Sequence, residues 1–365
     1  MNPITKYLKN LFASKRVIGD DINLTGLARA DAILADLIER KKVPGISITV
    51  LEGGKTLMQK GYGFSDIENK IPVHPKKSVF RIASISKNIA ATALAIMVEE
   101  GKIDLDASFY DYVPYYPKKK WDFTIRQLAG HTAGIRGYRG TEYGLNKPFS
   151  IKESIEIFKD DELLFEPGSD YFYNSYDWVL ISLAMQEAGK VPFEKYVEEK
   201  VLDPLAMKNT FTPYQAEHSR DLTSNEFLTK FYTKNRLGDY REAIVVNNFY
   251  KLAGGGYLST SEDIAKFGRS YLDGILLNEV VRTEFLTSQM VKGKPTYYGL
   301  GWQVSEDQKG RKFYGHIGNG VGGYANLFVY PEEQMVFAIL TNSTNPDIQD
   351  ELDKVVDVLI STRKV

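Results

Sequence analysis

The 365-residue sequence predicts an α+β protein: one antiparallel sheet built from both chain ends and flanked by helices, with a mainly helical subdomain inserted between. Three observations carry this. Strand-like alternation occupies "PGISITVLEGGKTLMQKGYGFSD" near the start. Helical periodicity dominates the middle of the chain. Strand-like segments then return as "YYGLGWQVSE", "RKFYGHIG", "YANLFVYPEE" and "MVFAILTNS". The expected organisation is an N-terminal basic amphipathic segment, 1–22, followed by a single domain, 23–365. Within that domain, 23–120 and 250–365 form the α/β lobe and 121–249 the mainly helical insert. The cleft between lobe and insert is the expected place for a site.

Segment 1–22 carries four basic residues and no acid before Asp20, and Ile4, Tyr7, Leu8, Leu11 and Phe12 share one helical face. It reads as a helix packed on the domain, with a membrane-surface helix or a targeting segment as the alternatives. Its apolar residues never run together as a secretory core would. The compartment is therefore unknown, with the cytoplasm as default and the periplasm if the N-terminus has been trimmed. Nothing elsewhere approaches the roughly 18 consecutive apolar residues of a membrane span.

Residues 23–41 read as a helix with Leu27, Ala28, Ala32, Ile33, Leu37 and Ile38 on one face. Gly53-Gly54 marks a hairpin turn. A helix runs from Ser84 to Gly101, with Gly101 as its cap. From Trp121 to Met207 the pattern is helical, in "TIRQLAGHTAGI", "IKESIEIFKDDELL", "SYDWVLISLAMQEAGK" and "PFEKYVEEKVLDPL". The glycine-rich "LAGGGYLST" leads into another helix, and "IQDELDKVVDVLIST" is an amphipathic helix near the C-terminus. No internal repeat or low-complexity linker interrupts the chain.

Composition narrows the function. Net charge is −1, with 46 Lys and Arg against 47 Asp and Glu, so no overall field favours nucleic acid. The run Lys118-Lys119-Lys120 reads as a solvated loop. Cysteine is absent, which removes disulfides, thiolate catalysis and cysteine metal sites and leaves the redox compartment undecided. The four histidines, His74, His131, His218 and His316, stand far apart with no ligand spacing, so neither a metal nor another cofactor is expected.

The chemistry begins at "FRIASISK". Serine is a poor nucleophile until a neighbour takes its proton, and Lys87 lies three residues after Ser84, on the same helical face. A lysine buried there without a counter-charge has a lowered pKa and serves as a base. The helix N-terminus adds free N–H groups suited to an oxyanion. Against this, on the motif alone Ser84 reads more readily as a plain helix cap, and "STRK" at Ser361 matches the same pattern by chance. Downstream, Tyr173 in "PGSDYFYNS" is a proton shuttle if a cation such as Lys87 stabilises it, or one buried aromatic among 23 tyrosines. His316 in "YGHIGNGVGGY" is a strand-end histidine beside glycines that permit close approach, or simply structural. Gly318, Gly320 and Gly323 match a dinucleotide fingerprint, but a strand follows where a helix is required.

Ser84-x-x-Lys87, Tyr173-x-Ser175 and His316-x-Gly318, in this order and with a helical insert, resemble the serine β-lactamase and penicillin-binding-protein superfamily. "FRIASISK", "LAGHTAGI", "PGSDYFYNS", "DPLAMKNTF", "AGGGYLSTSEDIAKF" and "GHIGNGVGGY" look like its class C-like branch, the peptidase S12 type, over roughly residues 25–345. "GHTAGIRGY" and "FYKLAGGGYLST" are most similar to the LACTB-like serine peptidases within it. The resemblance implies a β-lactamase/transpeptidase-like fold with Ser84 as the acylated nucleophile and Lys87 as its base. It implies Tyr173 as the second acid/base, and the N–H groups of Ser84 and Asn319 as the oxyanion hole. His316 takes the place of the usual lysine beside Gly318.

Two positions depart from that pattern. Ser175 stands where the second motif ends in asparagine, and Asn174 lies one place earlier. The third motif reads His-Ile-Gly, so the permanent cation and the hydroxyl that meet a β-lactam carboxylate are both missing. The expectation is a serine hydrolase acting through an acyl-enzyme on peptide or amide bonds or small esters, with a small-molecule or peptide substrate. A carboxylesterase, a weak β-lactamase or a penicillin-binding protein are the alternatives. From another class, a catalytically weak scaffolding or filament-forming protein keeps the same fold, and self-association stays open.

Overall fold

The structure, a computed structural model, describes residues 24–218 and 227–362. The basic amphipathic segment expected over 1–22 lies outside the described residues. The described residues fall into two compact units, one within Met1–Arg40 and Ile348–Val365, the other within Lys41–Asp347. In the first, helix α1 (Gly26–Glu39) packs on the C-terminal helix Gln349–Ser361. The buried stripe of α1 is Ala30, Leu34 and Leu37, and Leu27 on the expected face is exposed. An alanine-rich helix offers several overlapping stripes, and the one holding Leu34 and Leu37 buries the larger side chains.

The second unit holds a seven-stranded sheet: β1 (Gly45–Glu52), β2 (Lys55–Asp66), β3 (Ile71–Pro72), β4 (Gln303–Glu306), β5 (Lys312–Gly320), β6 (Gly323–Tyr330) and β7 (Met335–Thr341). The order is β4-β5-β6-β7-β1-β2-β3 and every pairing is antiparallel. The central strand β1 therefore pairs with β7 from far along the chain, with Ile46 opposite Thr341. This is the sheet built from both chain ends that the sequence predicts. The β1–β2 turn falls at Gly53 and Gly54, both at positive φ, which suits the right-handed twist of a hairpin.

Helix α2 (Ile85–Glu99) is buried on every side, from Ile85 through Ala95 and at Met97, as an all-round apolar helix must be. It packs on β5 and β6 and, elsewhere on its surface, on α4 (Tyr176–Gly189). Its end follows expectation. Gly101 adopts the left-handed conformation, and the Gly101 and Lys102 N–H groups return to the carbonyls of Val98 and Met97.

Two expectations need correction. Each of the four helical segments expected over Trp121–Met207 holds a helix, but only α4 runs the length of its segment; α3 (Ile125–Ala129), Ile151–Ser154 and Phe193–Val197 are short, with irregular stretches between. His131, Gly134, Gly140 and Gly168 all take positive φ there, which no continuing helix tolerates. The expected strand "YYGLGWQVSE" survives only as β4, because Tyr297 and Gly301 turn the chain before it. The apparent alternation of β1 also misleads. Its polar positions Ser47 and Thr49 are both buried under α5 (Ser261–Asp273), each bonded to Ser261 Oγ, at 2.7 and 2.9 Å.

Candidate active site

Ser84 is delivered by a short ribbon in which Phe80–Arg81 pairs with Leu258–Ser259. Ala83 then takes φ +45°, a conformation costing a non-glycine residue about 1 kcal/mol, and turns the chain into α2. Ser84 occupies the first helical turn but caps nothing. Its Oγ instead accepts from Lys87 Nζ at 3.2 Å and from the Tyr173 hydroxyl at 2.7 Å. The plain-cap reading fails on this geometry. Ser361, in the other Ser-x-x-Lys match, merely donates to Asp357 at the end of its helix.

Lys87 is completely buried. Besides Ser84, its Nζ donates to Gly254 O at 2.6 Å and to Ser175 Oγ at 3.4 Å. All three acceptors are neutral. Desolvation therefore pulls its pKa down to about 7, with Lys251 pushing the same way and Asp177 opposing. Near neutral pH a large share of Lys87 is a free amine next to a serine hydroxyl, which is what a general base requires.

Tyr173 is held in an aromatic cage, its ring centroid 4.7 Å from His131, 5.7 Å from His316 and 5.9 Å from Tyr298. Lys87 Nζ lies 4.8 Å from the same centroid. Desolvation raises the phenol above its ordinary value, against the hydrogen bond to Ser84. At rest Tyr173 is a neutral proton donor.

His316 stands in the wall behind Tyr173, buried, with Nδ1 2.7 Å from its neighbour's carbonyl, Ile317 O, and Nε2 3.0 Å from the Tyr298 hydroxyl. The carbonyl fixes the proton on Nδ1, so Nε2 accepts from Tyr298. Burial, and next the charge of Lys87, hold its pKa down to about 3. The ring is neutral and shares no hydrogen bond with Ser84, Lys87 or Tyr173 among the described residues. It shapes the Tyr173 pocket and supplies no cation.

Ser175 and Asn174 divide the work of the second motif. Ser175 sits beside Lys87, whereas Asn174 turns away, its amide donating to Asp177 Oδ2 at 2.7 Å and to Ile135 O at 3.1 Å. Asp177 is also 2.7 Å from His131 Nδ1, and both are buried. Burial pushes the Asp177 carboxyl up and the His131 ring down, each towards its neutral form.

The third segment arrives on β5. A Cβ on Gly318 would lie 2.3 Å from Ile82 O and 3.1 Å from Ser84 N, so only glycine lets β5 come this close to the nucleophile. The Ile317 N–H points away from β6, donating to Gln303 Oε1. By the two-residue repeat of a strand, the Asn319 N–H points the same way, off the paired side. The Asn319 side chain itself donates to Asn345. Ser84, Ser175 and Asn319 open on a cavity of about 330 Å³, whose wall also includes Tyr138, Asn248 and Lys251.

The structure thus brings Ser84, Lys87, Tyr173 and Ser175 into one hydrogen-bonded cluster, with Gly318 against it, Asn319 across the cavity and His316 one layer behind. Sequence reasoning missed Gly254, whose carbonyl is the closest partner of Lys87; the glycine run "AGGG" was its only signal. It also missed Lys251, Tyr138, His131 and Asp177, although His131 sits inside the quoted "LAGHTAGI".

A buried lysine and a tyrosine thus converge on a helix-borne serine beside an antiparallel sheet. A family model described as Beta-lactamase matches residues 30–360, and the chain belongs to that family. The serine beta-lactamase-like protein LACTB, mitochondrial, of Homo sapiens is 28% identical over 84% of this chain and 73% of its own. Among solved structures, the octameric penicillin-binding protein homologue from Pyrococcus abyssi superposes with a TM-score of 0.80 at 23% identity, covering 91% of this chain and 77% of its own. A D-amino acid amidase from Ochrobactrum anthropi SV3 gives 0.79 at 22% identity, covering 92% and 98%. The fold expectation holds.

Proposed function

We propose that this protein is a serine hydrolase that works through an acyl-enzyme on peptide or amide bonds, with small esters as further substrates. The single observation that carries the reading is the Ser84 hydroxyl held between Lys87 Nζ and the Tyr173 hydroxyl. In acylation, Ser84 Oγ attacks the carbonyl carbon and its proton passes to the neutral Lys87 amine. The oxyanion forms against the N–H groups of Ser84 and Asn319. As the bond to the leaving nitrogen or oxygen breaks, Tyr173 gives it a proton and is reprotonated from the Lys87 ammonium. Because the phenol pKa is raised, this relay passes the proton through Tyr173 without resting on a phenolate. Water then attacks the acyl carbon along the reverse relay, restoring the Ser84 hydroxyl.

The site argues against efficient penicillin turnover. His316 is neutral and Ile317 offers no side-chain donor, so a β-lactam carboxylate meets no cation there. Similarity to an amidase supports the amide reading, and similarity to an octameric homologue supports self-association, which sedimentation of the purified protein tests. The rival class is a scaffolding protein that keeps the fold without turnover. Fluorophosphonate labelling separates the two. The hydrolase reading expects one adduct, on Ser84, absent in Ser84→Ala; a folded, unlabelled wild-type protein overturns it.

A further inference from the structure

We infer that the cavity beside Ser84 receives an acyl group ending in a carboxylate, and that Lys251 is the residue that reads it; this rests on the acyl-enzyme reading above. Lys251 ends a short turn, Phe249–Lys251, immediately before the glycine run that supplies Gly254. It is only 7% exposed, and it lines the cavity. An ammonium carries three donors, and this one donates to Tyr143 O at 2.8 Å and otherwise meets the faces of Tyr138 and Tyr250, at 5.0 and 5.5 Å. No carboxylate of the described residues pairs with it. Burying a cation without an anion is costly, and a bound anion would remove that cost.

The surroundings point the same way. Among the described residues, no Asp or Glu lines the cavity. Arg81, whose charge is felt by Lys251, is likewise without a carboxylate among the described residues, its guanidinium donating to Val321 O at 2.7 Å and stacking on Phe231. Burial and Arg81 hold Lys251 at about 8, so it remains mostly an ammonium at neutral pH. Position decides which half of the substrate carries the charge. Tyr173, which protonates the leaving group, is not part of the cavity wall, whereas Ser84 and Asn319 are. With the carbonyl oxygen between their N–H groups, the leaving group departs on the Tyr173 side and the acyl group fills the cavity. The cation is thus on a different chain segment from His316, and it serves the other side of the scissile bond.

The test compares glutaric acid mono-4-nitroanilide with its terminal carboxamide isostere, read as the ratio of the two kcat/KM values. The expected ratio is about tenfold or more in favour of the acid for the wild-type protein, the scale of a charge-assisted contact. It falls towards unity in Lys251→Met and is partly kept in Lys251→Arg. Equal values in the wild-type protein, or an unchanged ratio in Lys251→Met, overturn the inference. A second arm measures glutarate binding to Ser84→Ala by calorimetry, where Lys251→Met added to that variant weakens binding at least about tenfold. Absence of glutarate binding to Ser84→Ala also overturns the inference. Failure of fluorophosphonate labelling instead strikes the acyl-enzyme reading, and the glutarate arm still decides the role of Lys251.

Discussion

Lys87 Nζ lies 2.6 Å from the carbonyl oxygen of Gly254, closer than to either neighbouring serine hydroxyl. The amine is oriented by a backbone dipole and not by a carboxylate. Replacing it with an isosteric apolar chain should therefore abolish chemistry without harming the fold. Lys87→Met is expected to lose about 10²–10⁴-fold in acylation rate, the usual worth of a positioned base. Its melting temperature should stay level or rise, since an uncompensated buried amine disappears. Fluorophosphonate labelling at the wild-type rate would refute the assignment.

The pH profile follows from the same amine. As the proposed base Lys87 must be neutral, and its pKa is held down to about 7. The value of kcat/KM should rise with pH through about 7 and fall on acidification below it. A profile flat from pH 5 to 9 would mean that another group takes the proton.

Tyr173→Phe removes the donor to Ser84 and keeps the ring in its cage. The loss should depend on the leaving group: about 10²-fold or more for an anilide, whose nitrogen must be protonated, and much less for a nitrophenyl ester. Equal losses for both would place the Tyr173 hydroxyl outside leaving-group protonation.

Acid should unfold this protein partly through His316. Its folded pKa is about 3, below the ordinary value of 6.5, so between those values the unfolded chain binds a proton that the folded chain refuses. The stability this group contributes is present above pH 6.5 and is lost progressively towards pH 3. His131, also pulled down, adds in the same direction. Lys87 adds no slope there, being protonated in both states well below 7. In His316→Gln the drop in denaturation midpoint from pH 7 to pH 4.5 should shrink; an unchanged drop would show that His316 is not titrating on unfolding.

Gly318→Ala places a methyl group 2.3 Å from Ile82 O, beside the amide of Ser84. The expected cost is about 1–3 kcal/mol in chemical denaturation, with labelling of Ser84 slowed more than stability alone explains. Unaltered labelling would show that the approach of β5 does not set the nucleophile's position.

How much of this was legible in the sequence depended on whether a residue's role is local. The spacing of Ser84 and Lys87 puts them on one helical face, because i and i+3 meet there, but Ser361 shares that spacing, so the pair needed the downstream motifs to stand out. Gly53-Gly54 announces its hairpin because a turn is local. Tyr173 and His316 needed the resemblance, since nothing in a lone tyrosine or histidine says which distant helix it will face. Gly254 acts through its carbonyl, and a carbonyl leaves no mark in a residue's identity. Lys251 reads as surface charge until the fold closes around it, and the polar Ser47 and Thr49 give no sign of the α5 that covers them. The irregular stretches after Ala129 were hidden because "LAGHTAGI" has helical spacing, while the positive φ of His131 is imposed by tertiary packing.

The pairing of Ile46 with Thr341 makes the central strand wait for the last strand of the sheet to be synthesised. A ribosome has made the serine, the lysine and the tyrosine long before it delivers β5 and β7, and until then the central strand lacks one neighbour and the nucleophile lacks the strand that closes over its amide. Such distant pairing makes folding slow. On the proposed mechanism, a polypeptide interrupted before β5 would carry Ser84 and Lys87 but lack Gly318 and Asn319, and so could not complete the proposed oxyanion site.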